Sequence, residues 1–345
     1  MLLAQVLGKA LKAAGPGLAS AARLSSRVAL RTKYTDSSGY THFRRRSGLP
    51  FPGPSSSSSS SSSSPWNKTY VYVSGLVLAG TSAFYVNNLE VVPYTRRSHF
   101  VLMSPEQERR LGSQMYRQFL EQHRSAGRLL PQNHQLARLV RKVGKKIAKE
   151  TESLSAWGGQ VDHMKNIKWE FNVVNSDEVN AFVLPGGKVI VYSGLFKVLK
   201  SEDELAMVLA HEIGHAVARH NAEKITQQMT ITMFRSALFL ALGMDIAAGP
   251  LMLGLQLPYS RTCENEADTL GLQLMAKACF DPRSGPKAMS RLSSGHASAM
   301  PEFLSTHPSS ATRVAKLEKQ LPEALAVYEG GCHTAGRFFS SFSQF

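Results

Sequence analysis

The chain has 345 residues, a hydrophobic fraction of 43% and a net charge of +15. This length allows one sizeable domain with appendages or two small domains, and the hydrophobic fraction excludes wholesale disorder. The positive charge raises nucleic acid or an anionic membrane as a partner, but residues 1–46 alone contribute +8, from nine Lys or Arg against one Asp. Since the sequence has neither an RNA-binding aromatic signature nor zinc-finger spacing, we expect no nucleic-acid partner.

The N-terminal part is predicted to hold a targeting segment followed by a linker. The first 35 residues lack acids and are rich in Ala, Leu and Ser, with bases spaced along a possible amphipathic helix. This composition is typical of a mitochondrial targeting segment, which we extend over residues 1–46; a disordered basic arm is the alternative. Residues 47–65 contain three prolines before ten consecutive serines and are predicted to be a disordered linker.

Residues 66–89 are predicted to be a transmembrane anchor. From Thr69 to Leu89 the chain is uncharged for 21 residues, which just spans a bilayer. Aromatic side chains lie near both ends of the stretch, where amphipathic rings prefer to sit. A buried β hairpin is the competing interpretation, because Val, Tyr and Thr are common here, but the missing polar alternation and the adjacent linker favour an anchor.

Residues 95–328 are predicted to form one domain of the α+β class, mainly helical with a small β-sheet. Helices are expected to start at Ser104-Pro105 and to run from about residue 131 to 150. Strands are expected at 168–174 and on both sides of the Pro-Gly-Gly turn within residues 180–192. Ser201-Glu-Asp-Glu204 is a capping box that opens the next helix, and helices follow to about residue 328.

The helix after this capping box carries His211-Glu212-Ile213-Gly214-His215. Histidines four residues apart project from one helix face and can bind the same metal ion. Glu212 is turned by about 100° from His211, which suits a base that activates a water at zinc. The pattern arises by chance in about one chain in a hundred of this length, and two satisfied core histidines are the alternative.

A catalytic zinc needs a third protein ligand. His220 lies five residues after His215 and therefore around the helix from it, so we expect it to take no part in the site. Glu264 is the better candidate, because Glu264 and Asp268 are four residues apart on one predicted helix face. One of the two can bind zinc while the other accepts the ring N–H of a ligand histidine. Glu266 would then point elsewhere.

Four motifs of the chain also occur in the order of a known family. They are HEIGH at 211–215, SRxxExEAD at 260–268, Asn180-Ala181-Phe182, and Ser305-Thr306-His307-Pro308 with Arg313. Together they resemble, over roughly residues 100–325, the membrane gluzincins that include the type I CAAX prenyl protease and bacterial HtpX. The runs 257–261 and 300–308 resemble most the mitochondrial inner-membrane branch, a stress-activated metalloendopeptidase whose activity overlaps that of the m-AAA protease.

The resemblance implies a zincin-like peptidase domain with one Zn²⁺ per chain and a role for each site residue. The implied roles are zinc binding for His211, His215 and Glu264, general base for Glu212, support of a ligand for Asp268, oxyanion stabilisation for His307 and support of the site for Arg313. Asn180 and Ala181 would lie on an edge strand that pairs with the substrate backbone.

The resemblance also implies a function and a location. The chain would be a zinc-dependent endopeptidase of the mitochondrial inner membrane, single-pass, with its catalytic domain facing the intermembrane space. Its partners would be the lipid bilayer and membrane-associated protein substrates, including the inner-membrane dynamin-like GTPase and the chain itself, in stress response and quality control. The sequence leaves open whether the chain forms a homo-oligomer. The alternative function is a non-catalytic, zinc-stabilised scaffold or adaptor in the same membrane.

The apolar stretch from Ile231 to Leu257 is long enough to span a membrane, but Arg235, Asp245 and Pro250 interrupt it. A charge near mid-bilayer costs about 2.5–3.5 kcal/mol. We therefore expect helices that pack on the peptidase domain or dip into the membrane surface, rather than a second span. Residues 329–345 form a tail without a motif that we can place.

The chain has three cysteines, Cys263, Cys279 and Cys332. They match neither a disulfide framework nor a CxxC zinc pattern. At most one bridge can form, and Cys279 with Cys332 is the pair to test; three unbridged thiols fit the sequence at least as well.

Overall fold

The structure is a computed structural model that describes residues 33–35, 41–43, 65–158, 161–243, 248–294, 307 and 311–332. The chain divides into two compact units, Met1–Lys68 and Thr69–Phe345. In the first unit, strands β1 (Lys33–Thr35) and β2 (Thr41–Phe43) pair antiparallel. Most of the predicted targeting segment, nearly all of the linker and most of the tail lie outside the described residues.

The predicted anchor is a helix, α1 (Pro65–Asn87), and not a β hairpin. Its residues Lys68–Asn87 have a mean hydropathy of 1.3 and none of them is buried, so by length and composition this helix can cross a membrane. No second helix within the described residues meets the same criterion. The helix ends two residues earlier than the predicted anchor, because Leu89 already begins a strand.

A small antiparallel hairpin follows the anchor directly. It consists of β3 (Leu89–Val91) and β4 (Ser98–Phe100). The ring of Phe100 stacks on Tyr85 near the end of α1, with the ring centroids 5.0 Å apart. We call residues 89–100 the post-anchor hairpin, because they follow the predicted anchor and this contact attaches them to the end of α1.

Two helices lead from the hairpin to the sheet. Helix α2 (Pro105–Ser125) starts with the expected capping box, in which Ser104 and Gln107 each accept the other's backbone N–H. Helix α3 (Gln135–Glu150) follows, with single 3₁₀ segments at Thr151–Trp157 and Asp162–Met164. The predicted second helix is thus confirmed, starting four residues later than expected.

The three-stranded sheet is mixed. Its strands are β5 (Glu170–Val174), β6 (Ala181–Leu184) and β7 (Lys188–Tyr192), in the order β5-β7-β6. β7 pairs parallel with β5 and antiparallel with β6. The turn between β6 and β7 needs Gly186 and Gly187, whose φ angles are 78° and 80°. β6 is therefore an edge strand of this sheet.

Six further helices complete the described part of the domain and confirm the α+β class. They are α4 (Leu195–Val198), α5 (Glu202–Val217), α6 (His220–Leu242), α7 (Ala248–Lys277), α8 (Ser284–Ser294) and α9 (Ala311–Gly331). The side chain of Ser201 accepts the N–H of Glu204 at the start of α5. The Glu204 carboxylate accepts from Lys200 rather than from Ser201, so only half of the predicted capping box forms.

Helix α5 is the centre of the domain. Every residue from 204 to 217 is buried, and the helix packs against α3, α7, α8 and β6. Helix α7 approaches α5 very closely. A Cβ on Gly271 would lie 2.9 Å from the backbone nitrogen of His211, and a Cβ on Gly214 would lie 2.9 Å from the backbone oxygen of Ala267. Both positions therefore need glycine, and the close contact brings the acidic side chains of α7 to the histidines of α5.

The long apolar stretch lies on α6 and the start of α7. Within it Met233, Phe234, Phe239 and Leu240 are 56–77% exposed, and Met229 just before it is 49% exposed, whereas Ile231 and Leu238 are partly buried. In its described part the stretch is therefore covered only in part by the peptidase domain, since most of its large apolar side chains on α6 are exposed. Contact with the membrane surface stays a prediction.

Cys279 and Cys332 form a disulfide, with their Cα atoms 5.5 Å apart. The bridge ties the end of α7 to the end of α9. Cys263 is buried outside the bridge. Of the two interpretations left open by the sequence, the structure adopts the single bridge.

Candidate metal centre

The three predicted ligands converge on one point between α5 and α7. Nε2 of His211 and Nε2 of His215 lie 3.1 Å apart. The carboxylate oxygens of Glu264 lie 3.4 Å from the first of these nitrogens and 3.5 Å from the second. Burial opposes ionisation of Glu264, but hydrogen bonds from His211 and His307 hold its pKa well below the usual value, so the side chain is anionic and can bind a cation.

His307 lies closer to these ligands than the sequence predicted. Its Nδ1 is 3.3 Å from Nε2 of His211 and 3.2 Å from Oε2 of Glu264. One donor atom from each of His211, His215, Glu264 and His307 lies within 4.8 Å of all the others. The ring expected beside the scissile carbonyl therefore has one nitrogen among the ligand atoms.

The spacings of these donor atoms fit a tetrahedral zinc ion. Bonds of about 2.0–2.1 Å in tetrahedral geometry place neighbouring ligand atoms roughly 3.3 Å apart. The five distances given above range from 3.1 to 3.5 Å, with Oε2 of Glu264 facing His211 and His307 and Oε1 facing His215. Imidazole nitrogens and a carboxylate are also a donor set that zinc prefers. The residues present therefore suit the predicted cofactor.

Glu212 is a buried carboxylate beside the donor cluster. Its Oε2 accepts the backbone N–H of Val183 in β6 at 3.1 Å, and its Oε1 faces Nε2 of His307 at 3.3 Å. Burial raises the pKa of Glu212, and the nearby His307 and His211 rings oppose the rise. A carboxylate with one oxygen fixed and a raised proton affinity suits a general base. Pattern reasoning missed Val183, which contributes only its backbone.

Asp268 and Arg313 lie behind His211. Oδ1 of Asp268 is 2.9 Å from Nδ1 of His211. Arg313 donates from Nε and Nη2 to the two oxygens of Asp268 at 2.6 and 2.7 Å, and its Nη1 is 3.0 Å from Oε2 of Glu264. Burial acts to raise the pKa of Asp268, but Arg313 and His211 hold it below its usual value. An ionised Asp268 fixes the proton of His211 on Nδ1 and leaves Nε2 for the metal.

Asn180 and Ala181 lie at the start of edge strand β6, but both residues are buried, 4% and 0% exposed. The outward-facing backbone groups of Val183 are already used, since its N–H donates to Glu212 and its oxygen accepts from Nδ2 of Asn221 at 3.0 Å. The edge position agrees with the expectation. Substrate pairing at Asn180 and Ala181 stays a prediction.

His220 does contact the site, contrary to the expectation that it takes no part. Helix α5 ends at Val217, and Arg219 has a φ of 54°, so the chain turns before α6 begins at His220. As a result Nδ1 of His220 lies 2.7 Å from Nδ1 of His215, while its Nε2 lies 3.0 Å from Glu266. It touches a ligand without belonging to the donor cluster, and Glu266 points away from that cluster as expected.

A second group of potential donors comprises His220, Glu223 and Cys263. Here Arg97 donates to both oxygens of Glu223 at 2.8 Å, and His99 lies 2.8 Å from the same carboxylate. Burial acts to raise the pKa of Glu223, but Arg97 and His99 lower it to about 2. Because a guanidinium already neutralises this carboxylate, we assign no metal to the group.

Residues 145–321 match peptidase family M48, a range that contains every predicted site residue. The chain belongs to peptidase family M48. The mitochondrial metalloendopeptidase OMA1 of Schizosaccharomyces pombe is 38% identical over 265 residues, covering 76% of this chain and 75% of that protein. OMA1 of Saccharomyces cerevisiae is 34% identical, with 77% and 79% covered. The beta-barrel assembly-enhancing protease of Escherichia coli is 33% identical over 171 residues, with 45% and 35% covered.

Membership of this family confirms the resemblance inferred from the four motifs. The chain is a metalloendopeptidase with an α+β fold, and its mitochondrial relatives agree with the prediction of a mitochondrial membrane protein. A peptidase of this kind carries a metal cofactor, for which the buried cluster of three histidines and Glu264 is the candidate site. No observation favours the non-catalytic alternative.

Proposed function

We propose that the chain is a zinc-dependent endopeptidase of the mitochondrial inner membrane, with one zinc ion held by His211, His215 and Glu264. The proposal rests on one observation above all, the convergence of three buried donor groups, with atoms 3.1–3.5 Å apart, beside the buried carboxylate of Glu212. Two imidazoles and a carboxylate leave the fourth position of a zinc ion for a water or a substrate.

The catalytic roles follow from the contacts of each side chain. When bound, zinc supplies a Lewis acid that polarises the peptide carbonyl and lowers the pKa of a water. Glu212, held through Oε2 by Val183, takes the proton of that water on Oε1 and returns it to the leaving amine. Asp268 keeps the Nε2 of His211 directed at the ion, and Arg313 keeps Asp268 ionised.

His307 is proposed to stabilise the oxyanion of the tetrahedral intermediate. Its Nε2 lies 3.3 Å from Oε1 of Glu212, and its Nδ1 is at the fourth corner of the donor cluster. An oxyanion role would require this ring to leave the donor cluster and make room for the substrate carbonyl. From the shifted position an imidazole N–H can donate to the oxyanion. The buried Arg313 supports this arrangement through Glu264.

The substrates are proposed to be membrane-associated proteins, whose extended backbone pairs with β6 near Asn180 and Ala181. Helix α1 would keep the peptidase domain at the bilayer, and the exposed apolar side chains of α6 would add contact with the membrane surface. By resemblance, the substrates include the inner-membrane dynamin-like GTPase and the chain itself, cleaved in stress response and quality control.

The catalytic domain is proposed to face the intermembrane space, with α1 as a single span. The Cys279–Cys332 disulfide supports this orientation, since such bonds persist in oxidising compartments. Protease added to mitochondria with a ruptured outer membrane should digest the domain, and protease added to mitochondria with both membranes intact should not. Protection in both preparations would place the domain in the matrix.

The experiment that tests the activity compares the full chain with Glu212→Gln. Both proteins should bind one zinc ion, measured by atomic absorption, because the substitution leaves the donor cluster intact. Cleavage of an unfolded membrane-associated protein should fall at least about 10²-fold in the variant, the loss expected for a missing general base. Glu106→Gln, on the exposed surface of α2, is the matched control. Equal cleavage by Glu212→Gln and the wild type would refute the proposal.

A further inference from the structure

The two ligand histidines are held by different partners. Asp268 contacts Nδ1 of His211, whereas the Nδ1 of His215 lies 2.7 Å from Nδ1 of His220. Since His215 directs Nε2 into the donor cluster, Nδ1 is the nitrogen that fixes the plane of its ring. A hydrogen bond between two imidazoles requires one to donate and the other to accept.

The hydrogen bonds beyond His220 settle which ring donates. Nε2 of His220 lies 3.0 Å from Oε2 of Glu266, a carboxylate that can only accept. His220 therefore carries its proton on Nε2 and accepts at Nδ1 from His215. We call His215, His220 and Glu266 the histidine relay. In this arrangement His220 donates from Nε2 and accepts at Nδ1, and His215 donates from Nδ1. Nε2 of His215 is therefore left unprotonated for the metal.

The far end of the relay is held by the post-anchor hairpin. Arg97 donates from Nε to Oε2 of Glu266 at 2.8 Å, and the hydroxyl of Thr95 donates to the other oxygen. Arg97 also donates to both oxygens of Glu223 on α6. The hairpin that follows the membrane helix is thus bonded to both α7 and α6.

The hairpin also fixes the turn that brings His220 back to His215. Arg219 is in the left-handed region and its side chain is only 2% exposed. It donates to Glu90 of the hairpin at 2.5 Å, to Glu108 at 2.9 Å and to the backbone oxygen of Met103 at 2.7 Å. These bonds hold a backbone conformation that arginine otherwise avoids.

We propose that His220 is a positioning residue for the metal ligand His215, and that the post-anchor hairpin holds it through Glu266 and Arg219. The inference rests on the proposed function, because it takes His215 to be a zinc ligand. On this proposal the post-anchor hairpin is a structural part of the metal centre. A change that loosens the hairpin would therefore weaken zinc binding without touching a ligand.

Two amide substitutions of His220 separate its two hydrogen bonds. In His220→Asn the amide overlays Nδ1 and can accept from His215, whereas in His220→Gln it overlays Nε2 and reaches only Glu266. Zinc affinity of the full chain in detergent is measured by competition with a chelator. We expect His220→Gln to lose about 10–100-fold in affinity, as for other partners of ligand histidines, and His220→Asn to stay within about threefold of wild type.

The visible spectrum of the Co²⁺-loaded protein is a second measurement, and it does not depend on the overall stability of the variant. The visible spectrum of the Co²⁺-loaded protein reports ligand geometry, so it should shift in His220→Gln and match the wild type in His220→Asn. Arg97→Met should also lower zinc affinity, by about tenfold, because it detaches from α6 and α7 the hairpin that fixes the turn at Arg219. Arg110→Met is the matched control, since Arg110 makes only an exposed pair with Glu106.

Three results would overturn the inference: wild-type zinc affinity in His220→Gln, equal losses in the Asn and Gln variants, or equal effects of the two arginine substitutions. Melting of the metal-free proteins identifies a variant that fails to fold, and the arginine pair then decides the question. A wild-type chain that binds no zinc would instead refute the proposed function. The two failures are therefore distinguishable.

Discussion

Removal of the Cys279–Cys332 bridge should destabilise the peptidase domain while leaving its metal centre intact. The bridge closes a loop between residues 53 apart in sequence, and the loop-closure entropy of a chain of that length corresponds to about 4 kcal/mol at 25 °C. The loop contains α8 and all of α9. Arg313, which supports the site, lies near the opposite end of α9, roughly 28 Å from the bridge along the helix axis.

The assay is urea unfolding of the full chain in detergent, with and without reductant. Cys279→Ser, Cys332→Ser and the reduced wild type should all lose about 4 kcal/mol, since each lacks the same constraint. Cys263→Ser keeps the bridge and should still respond to reductant. Zinc affinity should be unchanged in all of them. A fully reduced wild type that unfolds at the same urea concentration as the oxidised protein would refute this reasoning, as would a loss of zinc in the serine variants.

Three further predictions concern single side chains. Asp268→Asn should lower zinc affinity by about 10–100-fold because His211 loses its ionised partner; undiminished chelator competition would contradict this. His307→Ala should lower kcat by about 10²-fold with little change in zinc affinity, whereas higher activity with weaker zinc binding would identify the ring as a ligand that blocks the site. Burial lowers the pKa of His163 to about 3, below the unfolded value near 6.5, so stability should fall as the pH drops from about 6.5 to 3, by up to about 1.4 kcal/mol per unit. His163→Gln, which keeps a donor for Val217, should flatten that dependence in the metal-free protein; an unchanged slope would contradict the assignment.

The core of the site could be predicted because its spacing is local. His211 and His215 share a helix face, as do Glu264 and Asp268, and both pairs follow from the 3.6-residue period alone. The structure brings the two faces together through the close approach at Gly271. That the faces meet was inferred from the need for a third zinc ligand and supported by the family likeness, since no property of either helix by itself specifies its partner.

The contacts around this core could not be predicted, for two physical reasons. His220 was misplaced because helical periodicity was continued past Val217, and a turn at an arginine with positive φ carries no signal of the kind that glycine gives. Val183 acts through its backbone N–H, which every residue except proline has, so residue type does not reveal it. The exposed side chains of α6 show the same limit, because an apolar stretch does not specify whether protein or membrane covers it.

The metal centre is thus supported from both ends of the peptidase domain, and the two supports act on different ligands. His211 is proposed to depend on Asp268 and on Arg313 at the start of α9. His215 is proposed to depend on the histidine relay and on the hairpin attached to α1. Because the two paths share no residue outside the donor cluster, losses of zinc affinity from Asp268→Asn and Arg97→Met should add in free energy. A combined loss much smaller than the sum would mean that the two supports act on one common step.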